Sequence, residues 1–214
     1  TTTRNDRSLN SVGLVSSGVT YTSTATSGKV YTDNTTVSVF SAKAGTQVQP
    51  TFNYSGSWMS AYVYVDWNNN GKFEYTINDN GTPAAGSEIV SYNAVLIGNT
   101  WYKSDGTTTA NGNTIGSGVP SFTIPADTPA GLYRMRYKVD WNSIDPAGSN
   151  TIIPDGGGYV DLMLDVHGDK VSVSASQLNG DIVLAADESA LQGYITDYAK
   201  PLTVKDIPAP GMLF

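Results

Sequence analysis

The stretches LYRMRYKVD (132–140) and YVDLMLDVH (159–167) alternate apolar and polar residues with a period of two. The apolar side of the first stretch is formed by Tyr133, Met135, Tyr137 and Val139. Its other side is formed by the charged residues Arg134, Arg136, Lys138 and Asp140. An extended strand places successive side chains on opposite faces of a sheet. We therefore predict two β-strands, each with one face in the core and the other face in water.

The other patterns along the chain predict an all-β protein. SAYVYVDW (60–67) is apolar on both sides, which predicts a central strand covered on both faces. Weaker strand patterns occupy 12–15, 36–40, 46–54, 88–96, 119–124, 171–175, 181–185 and 201–205. Turn dipeptides separate these strands, and no long helical period appears. We expect antiparallel sheets arranged as a β-sandwich of jelly-roll-like type, with a small β extension at the C-terminus.

Two regions are expected along the chain, 1–168 and 169–214. The boundary is placed near Gly168-Asp169, where a strong strand pattern gives way to a new rhythm of short ones. About 45 residues is small for an independent hydrophobic core. The second region is therefore interpreted as a partial module that packs on the first region or pairs with another chain. The opening, TTTRNDRSLN, has no apolar signal region, so if the protein is exported we expect this chain to be a mature form or an excised fragment.

Composition excludes several classes of protein. The net charge is −7, and the 12 basic residues are spread over the whole chain, so no nucleic-acid-binding patch is expected. The absence of cysteine excludes disulfides, thiol catalysis and cysteine-based zinc sites. No apolar run is long enough to predict a membrane span.

The loop VDWNNNGKFE (65–74) is open to two interpretations. Its oxygen-bearing side chains follow the spacing of a calcium loop, with a glycine after the third of them: Asp66, Asn68, Asn70 and, at position 9, Glu74. Position 12, which carries a bidentate glutamate in a full calcium loop, is Ile77, so Asp79 or Glu88 would have to complete the ligand shell. With so few carboxylates, Ca²⁺ would bind weakly, at about 10⁻⁴–10⁻³ M. The alternative is a hairpin turn in which Asp66 and Asn68 bond their own backbone, and no cofactor is required.

The sequence predicts no catalytic residues. The single histidine, His167, ends a strand pattern, and no G-x-S-x-G elbow accompanies it. No pair of acidic residues is placed by the strand pattern at the spacing of a glycosidase site. P-loop and dinucleotide fingerprints are also missing from the sequence.

The tetrapeptide VDWN occurs twice, at 65–68 and 139–142, and each copy ends a strong strand pattern. Tryptophan next to acidic and amide side chains suits glycan binding, since the ring stacks on a sugar and the polar groups bind hydroxyls. The residues predicted for such a site are Trp67, Trp141, Asp140 and Asn142, with Asp66 and Asn68 beside them. The alternative is that both tryptophans close the end of the sandwich core.

Two segments in this order resemble the GEVED domain of bacterial secreted and surface proteins. The first is VYVDWNNNGKFE (63–74), an apolar strand that runs into Asp-Trp-Asn, a glycine and an aromatic residue. The second is FTIPADTPAGLYRMRYKVDW (122–141). The similarity extends over residues 4–168 and places the motif that names the family at 158–163, where its acidic position is Asp161.

The tail, from LNGDIV to PAPG, is similar to short modules of secreted Bacteroidetes proteins, including glycoside hydrolases. The two resemblances together imply a non-catalytic accessory region, either a spacer or a carbohydrate-binding one, of a larger secreted or cell-surface bacterial protein. The implied partners are a glycan and the rest of the parent polypeptide, whose activity would be glycoside hydrolysis. The alternative is an adhesion or surface-layer module that binds proteins or cells.

Overall fold

The computed structural model describes residues 6–112, 114–116, 118–141 and 156–168. Throughout these ranges the chain is built from β-strands and loops without a helix, so the all-β prediction is confirmed. The strands are β1 (Ser8–Ser16), β2 (Val19–Thr24), β3 (Tyr31–Asp33), β4 (Val39–Lys43), β5 (Gln47–Ser55), β6 (Met59–Val65), β7 (Ile89–Tyr92), β8 (Val95–Ile97), β9 (Thr100–Tyr102), β10 (Thr108–Thr109), β11 (Phe122–Thr123), β12 (Gly131–Trp141) and β13 (Gly157–His167). The strands predicted at 171–175, 181–185 and 201–205, and the whole predicted region 169–214, lie outside the described residues.

Two large sheets share the main core. A four-stranded sheet has the order β11-β5-β1-β2, and a six-stranded sheet has the order β3-β13-β12-β6-β7, with β4 also paired to β13. Apolar side chains from β1 and β5 in the first sheet meet those of β6, β12 and β13 in the second. Most strand pairs are antiparallel, but β3 and β4 run parallel to β13. This arrangement is the predicted β-sandwich.

The first hairpin shows how turn chemistry sets the register. Ser16 pairs with Val19, so the turn between β1 and β2 contains only Ser17 and Gly18. Both have positive φ, 49° and 80°, as a type I′ turn requires. The strand pattern of 19–24 was missed in the sequence because its hydroxyl-rich residues are mostly exposed and do not alternate in polarity.

The central position of β6 is confirmed, because every residue of this strand is buried. Its alternate side chains enter two different cores. The main core receives Met59, Ala61, Val63 and Val65. A second core, on the opposite face of the sheet, contains Tyr62, Tyr64, Ile89, Tyr92 and Val95.

The second core lies beneath a covering layer that the sequence patterns did not predict. A small sheet of order β10-β9-β8 and the loops of residues 66–88 contribute side chains to it: Phe73, Ile77, Ile97 and Tyr102. The predicted strand 88–96 is broken into β7 and β8 at Asn93. There the Asn93 N–H still donates to the Ala61 carbonyl at 3.2 Å, while the side-chain Oδ1 accepts the Ala61 N–H at 2.7 Å and Nδ2 donates to the Gly112 carbonyl at 3.1 Å.

The predicted water-facing side of β12 and β13 is therefore wrong. Arg136, Lys138, Asp140 and Asp161 are all buried. Alternation in the sequence correctly separates the two faces of the sheet, but it does not reveal that the covering layer lies over the charged face. Buried charges are tolerated where opposite charges and hydrogen-bond partners accompany them.

Within the described residues, no helix is long and apolar enough to cross a membrane.

Candidate functional site

The loop that follows β6 is held by its own short polar side chains. Asp66, which is 2% exposed, accepts the Asn70 N–H on Oδ1 at 3.1 Å and the Gly71 N–H on Oδ2 at 2.8 Å. Asn68 Oδ1 accepts the same Asn70 N–H at 2.9 Å, and Asn70 Oδ1 accepts the Lys72 N–H at 2.8 Å. Asparagine and aspartate commonly form such local turns. These contacts are the local backbone bonds that the turn interpretation predicts, but the loop does not close a tight hairpin, because the next strand, β7, begins only at Ile89.

Two glutamates, Glu74 and Glu88, also form hydrogen bonds with groups of this loop. Glu88, 2% exposed, accepts the Glu74 N–H at 2.7 Å and the Asn68 N–H at 3.4 Å. The exposed Glu74 carboxylate accepts the side-chain amides of Asn68 and Asn70 at 3.3 and 3.4 Å. Burial raises the pKa of the Glu88 carboxyl; the nearby Asp66 and Glu74 charges act in the same direction, and the two backbone hydrogen bonds oppose them.

The loop therefore carries the predicted oxygen-bearing side chains. Glu88, fourteen residues after Glu74, accepts hydrogen bonds from the backbone of the same loop. The donor set does not form a closed metal cage. Among the described residues there is no group of three or more His, Cys, Asp or Glu side chains that could hold a metal ion. The Asp66 oxygens face backbone N–H groups, so a cation would have to compete with these bonds. Weak Ca²⁺ binding by Asp66, Asn68, Asn70 and Glu74 stays a prediction.

Trp67 packs at one end of the main core. Its ring lies 5.6 Å from that of Tyr133 in an edge-on arrangement, and it contacts the core cluster. One edge of the residue lines a cleft of about 320 Å³. The cleft carries several hydroxyl side chains, those of Thr82, Ser87, Ser104, Ser121 and Thr123. Trp67 thus has the core contacts of the structural alternative and also borders a polar cleft.

Trp141 and Asp140 have partners of their own. The Arg7 guanidinium carbon lies 3.7 Å from the centroid of the Trp141 ring, and the same tryptophan packs against the main core. Asp140 is buried, with Oδ2 3.4 Å from Lys138 Nζ. Asp140 is therefore inside the protein and not on the water-facing side that the alternation predicted, while glycan binding by these residues stays a prediction. Asn142 lies outside the described residues.

The two VDWN copies are not neighbours. β6 and β12 are antiparallel, with Trp141 opposite Met59 and Met135 opposite Val65. Trp67 follows the C-terminal end of β6, whereas Trp141 lies beside its first residue. Six residues of strand, roughly 20 Å, separate these two ends. This register places the two tryptophans at opposite ends of β6, so they do not lie side by side as the repeated tetrapeptide suggested.

The sequence interpretation passed over Trp58, which lies in the turn between β5 and β6. It is 63% exposed and has a φ of 64°. This left-handed conformation costs a residue with a side chain roughly 1–2 kcal/mol. The signal available in the sequence was a tryptophan in the turn SGSW (55–58), where a small polar residue is the common choice.

Asp161, the acidic residue of the motif that resembles GEVED, is at the centre of a buried ionic cluster. The Arg136 Nε lies 2.5 Å from its Oδ1, and Arg136 Nη2 lies 2.6 Å from Oδ2. Arg134 reaches Oδ2 from the other side, with Nε at 2.8 Å. The Arg136 guanidinium also lies over the rings of Phe73 and Tyr159, at 4.9 and 4.7 Å. All these contacts lie within the protein, so the carboxylate holds strands together.

Comparison with known proteins gives one family match. Residues 60–161 match the GEVED domain. The matched range begins in β6 and ends at Asp161 in β13, so it takes in the second core, its covering layer and the buried ionic cluster. The resemblance seen in the sequence over 4–168 is confirmed for this narrower range. A search of curated proteins found no match.

Proposed function

We propose that this chain is a non-catalytic accessory region of a larger secreted or surface-attached bacterial protein. The observation that carries the proposal is the match of residues 60–161 to the GEVED domain. This region would be covalently joined to the rest of the parent polypeptide. The activity of that parent would be glycoside hydrolysis, as the resemblance of the tail implies. Either a spacer or a carbohydrate-binding role is compatible with an accessory region.

The ionic cluster supports a structural role for the family motif. Asp161 is fully buried, and its two oxygens face the guanidinium groups of Arg136 and Arg134. A carboxylate that acts on a substrate needs an approach for that substrate. Asp161 instead joins β13 to β12, which favours an accessory domain over an enzyme built on this motif.

Glycan binding is supported by aromatic side chains that border polar clefts. A pyranose ring presents an apolar face of C–H groups and a rim of hydroxyls, so it suits an aromatic surface with hydrogen-bonding neighbours. Trp67 borders the cleft with five hydroxyl side chains, and Trp58 and Trp141 border another. The proposed ligand class is therefore a glycan.

One observation favours the alternative, an adhesion or surface-layer module. A shallow cavity of about 610 Å³ beside the small sheet is lined by Thr76 and Asp79 and by the apolar residues Tyr75, Ile77, Val95, Leu96 and Ile97. Tyr75 and Leu96 are exposed. Exposed apolar groups that border one cavity suit a protein partner.

Two measurements separate these functions. The chain is applied to a glycan array and, in parallel, to immobilised cell-surface protein extracts with known composition. Saturable binding to a glycan supports the proposed function, and a glycoside hydrolase domain in the parent polypeptide supports its proposed context. Binding to a defined protein, with no glycan bound across the array, would favour the adhesion module.

A further inference from the structure

The turn between β5 and β6 presents a tryptophan in an unusual way. Among the described residues, the non-glycine residues with positive φ are Ser17, Trp58 and Asn69. Ser17 belongs to the type I′ turn of the first hairpin, and asparagine tolerates this region well. Trp58 has neither explanation, because a bulky side chain in this conformation is a genuine outlier.

The Trp58 side chain contributes little to the stability of the fold. The Trp58 side chain is 63% exposed, so it buries little apolar surface, and it is not part of either core cluster. Glycine or asparagine would adopt the same backbone without the steric cost. A strained residue that does little for the fold points to a role in binding.

The turn is fixed in place by its glycine. Gly56 has a φ of 113°, and a Cβ added there would lie 2.9 Å from the Asp6 carbonyl oxygen. The turn therefore packs closely on the segment that precedes β1. Trp58 is held on this turn and lines one pocket with Arg7 and Trp141; a binding site is most rigid when its residues are held by such packing.

These residues line one pocket of about 550 Å³, formed by Asp6, Arg7, Gly56, Ser57, Trp58 and Trp141. This volume is in the range of small-ligand sites, roughly 300–1,000 Å³. Arg7 covers one face of Trp141, and the main core contacts this tryptophan as well. The ring that remains for stacking is that of Trp58, which is 63% exposed, and Asp6 and Arg7 line the same pocket.

We propose that this pocket binds a neutral hexopyranose unit of a glycan, with the sugar face stacked on Trp58. This inference rests on the proposed glycan-binding function and moves the site away from Trp67. The pocket contains one acidic and one basic side chain, so its local charge is balanced, and the chain carries a net charge of −7, which disfavours polyanionic glycans. Asp6 and Arg7 side chains at the rim are of the types that hydrogen-bond sugar hydroxyls.

The test uses the full chain and neutral oligosaccharides identified on a glycan array. Trp58→Ala is expected to lower the affinity for the bound oligosaccharide at least about tenfold, which corresponds to 1.4 kcal/mol. Its melting temperature should stay close to that of the parent, because the ring is mostly exposed and alanine keeps the Cβ that strains the backbone. Trp58→Phe should recover part of the affinity, because a smaller aromatic face remains. Tyr75→Ala, at an exposed aromatic residue in a different cavity, is the matched control and should bind as the parent does.

Each other outcome has a defined meaning. If the parent binds an oligosaccharide and Trp58→Ala binds it equally well, the site is wrong while the proposed glycan-binding function stands. If the parent binds no glycan on the array, the glycan-binding function itself fails, and this inference fails with it. A large loss of stability in Trp58→Ala would overturn the premise that the ring serves binding and not the fold.

Discussion

The two faces of the six-stranded sheet are buried by different chemistry. On one face, alternate residues of β12 such as Met135 and Tyr137 enter an apolar core shared with the four-stranded sheet. On the other, Arg136 and Lys138 are covered by aromatic rings and paired with carboxylates. The apolar face gains stability from area removed from water, whereas the charged face depends on each charge keeping its partner. The charged face should therefore respond more sharply to loss of a single group.

The largest expected effect is that of Asp161→Asn. The substitution keeps the shape of the side chain but leaves Arg136 buried without its carboxylate. Breaking a buried pair in this way costs about 3–5 kcal/mol. Urea unfolding followed by tryptophan fluorescence measures the loss.

Asp33→Asn is the matched control for this substitution. Asp33 is opposite Asp161 in the register of β3 and β13, but it is exposed. Its substitution should stay within about 0.5–1 kcal/mol of the parent. A loss below about 1 kcal/mol in Asp161→Asn would show that the charged face does not depend on this pair.

The apolar face is tested at its end by Trp67→Ala. Trp67 packs against Tyr133 and the main core but is only partly buried. Truncation should cost about 3 kcal/mol, at the lower end of the range for buried aromatic residues. Thermal and urea unfolding of this variant, beside Trp58→Ala as the exposed tryptophan, give the comparison. Equal small losses in both variants would contradict a core-closing role for Trp67.

Sequence patterns predicted the strands of the sandwich well where one residue in two was apolar. β6, β12 and β13 are found where their alternation indicated, and the double apolar character of 60–67 correctly marked a strand covered on both faces. The sequence did not reveal that Arg136 and Lys138 are buried. The pairing of Lys138 with Asp140 lies within β12 and is compatible with the alternation. Asp161 and the rings of Phe73 and Tyr62 come from other strands or loops, and the alternation of a single strand holds no information about them.

The sequence predicted only part of the candidate site, because local patterns hold no information about contacts between distant segments. The local bonds of Asp66, Asn68 and Asn70 follow from short spacings that the sequence contains. The separation of Trp67 from Trp141 depends on the antiparallel register of β6 and β12, which a repeated tetrapeptide cannot specify. Trp58 was passed over because its interest lies in its φ and exposure.

Calcium should stabilise the loop after β6 only slightly. With a dissociation constant of about 10⁻³ M, Ca²⁺ at about 10 mM would add about 1.4 kcal/mol to the free energy of unfolding. The melting temperature is measured with Ca²⁺ and, at equal ionic strength, with Na⁺. Glu74→Gln removes one predicted ligand at the surface and should reduce the Ca²⁺-dependent shift. A dissociation constant tighter than about 10⁻⁶ M, as in sensor loops, would show a site stronger than these side chains predict.

The smallest expected effect is a pH dependence that originates in Glu88. Burial raises the pKa of Glu88 above the ordinary value for a glutamate, so the folded protein binds this proton more tightly than the unfolded chain does. The stabilisation that results is present below that value and is lost as the pH rises through the folded pKa. The unfolding free energy of the parent relative to Glu88→Gln should therefore fall as the pH rises from the ordinary glutamate range through the raised pKa of the folded protein. Asp33 provides the opposite sign, because hydrogen bonds from Thr35 lower its pKa below 3.8. Relative to Asp33→Asn, the parent should lose stability as the pH falls through this lowered pKa. Urea unfolding of the three proteins across the pH series gives both slopes, and a Glu88 difference that rises with pH would mean that its carboxylate form is the one the fold stabilises.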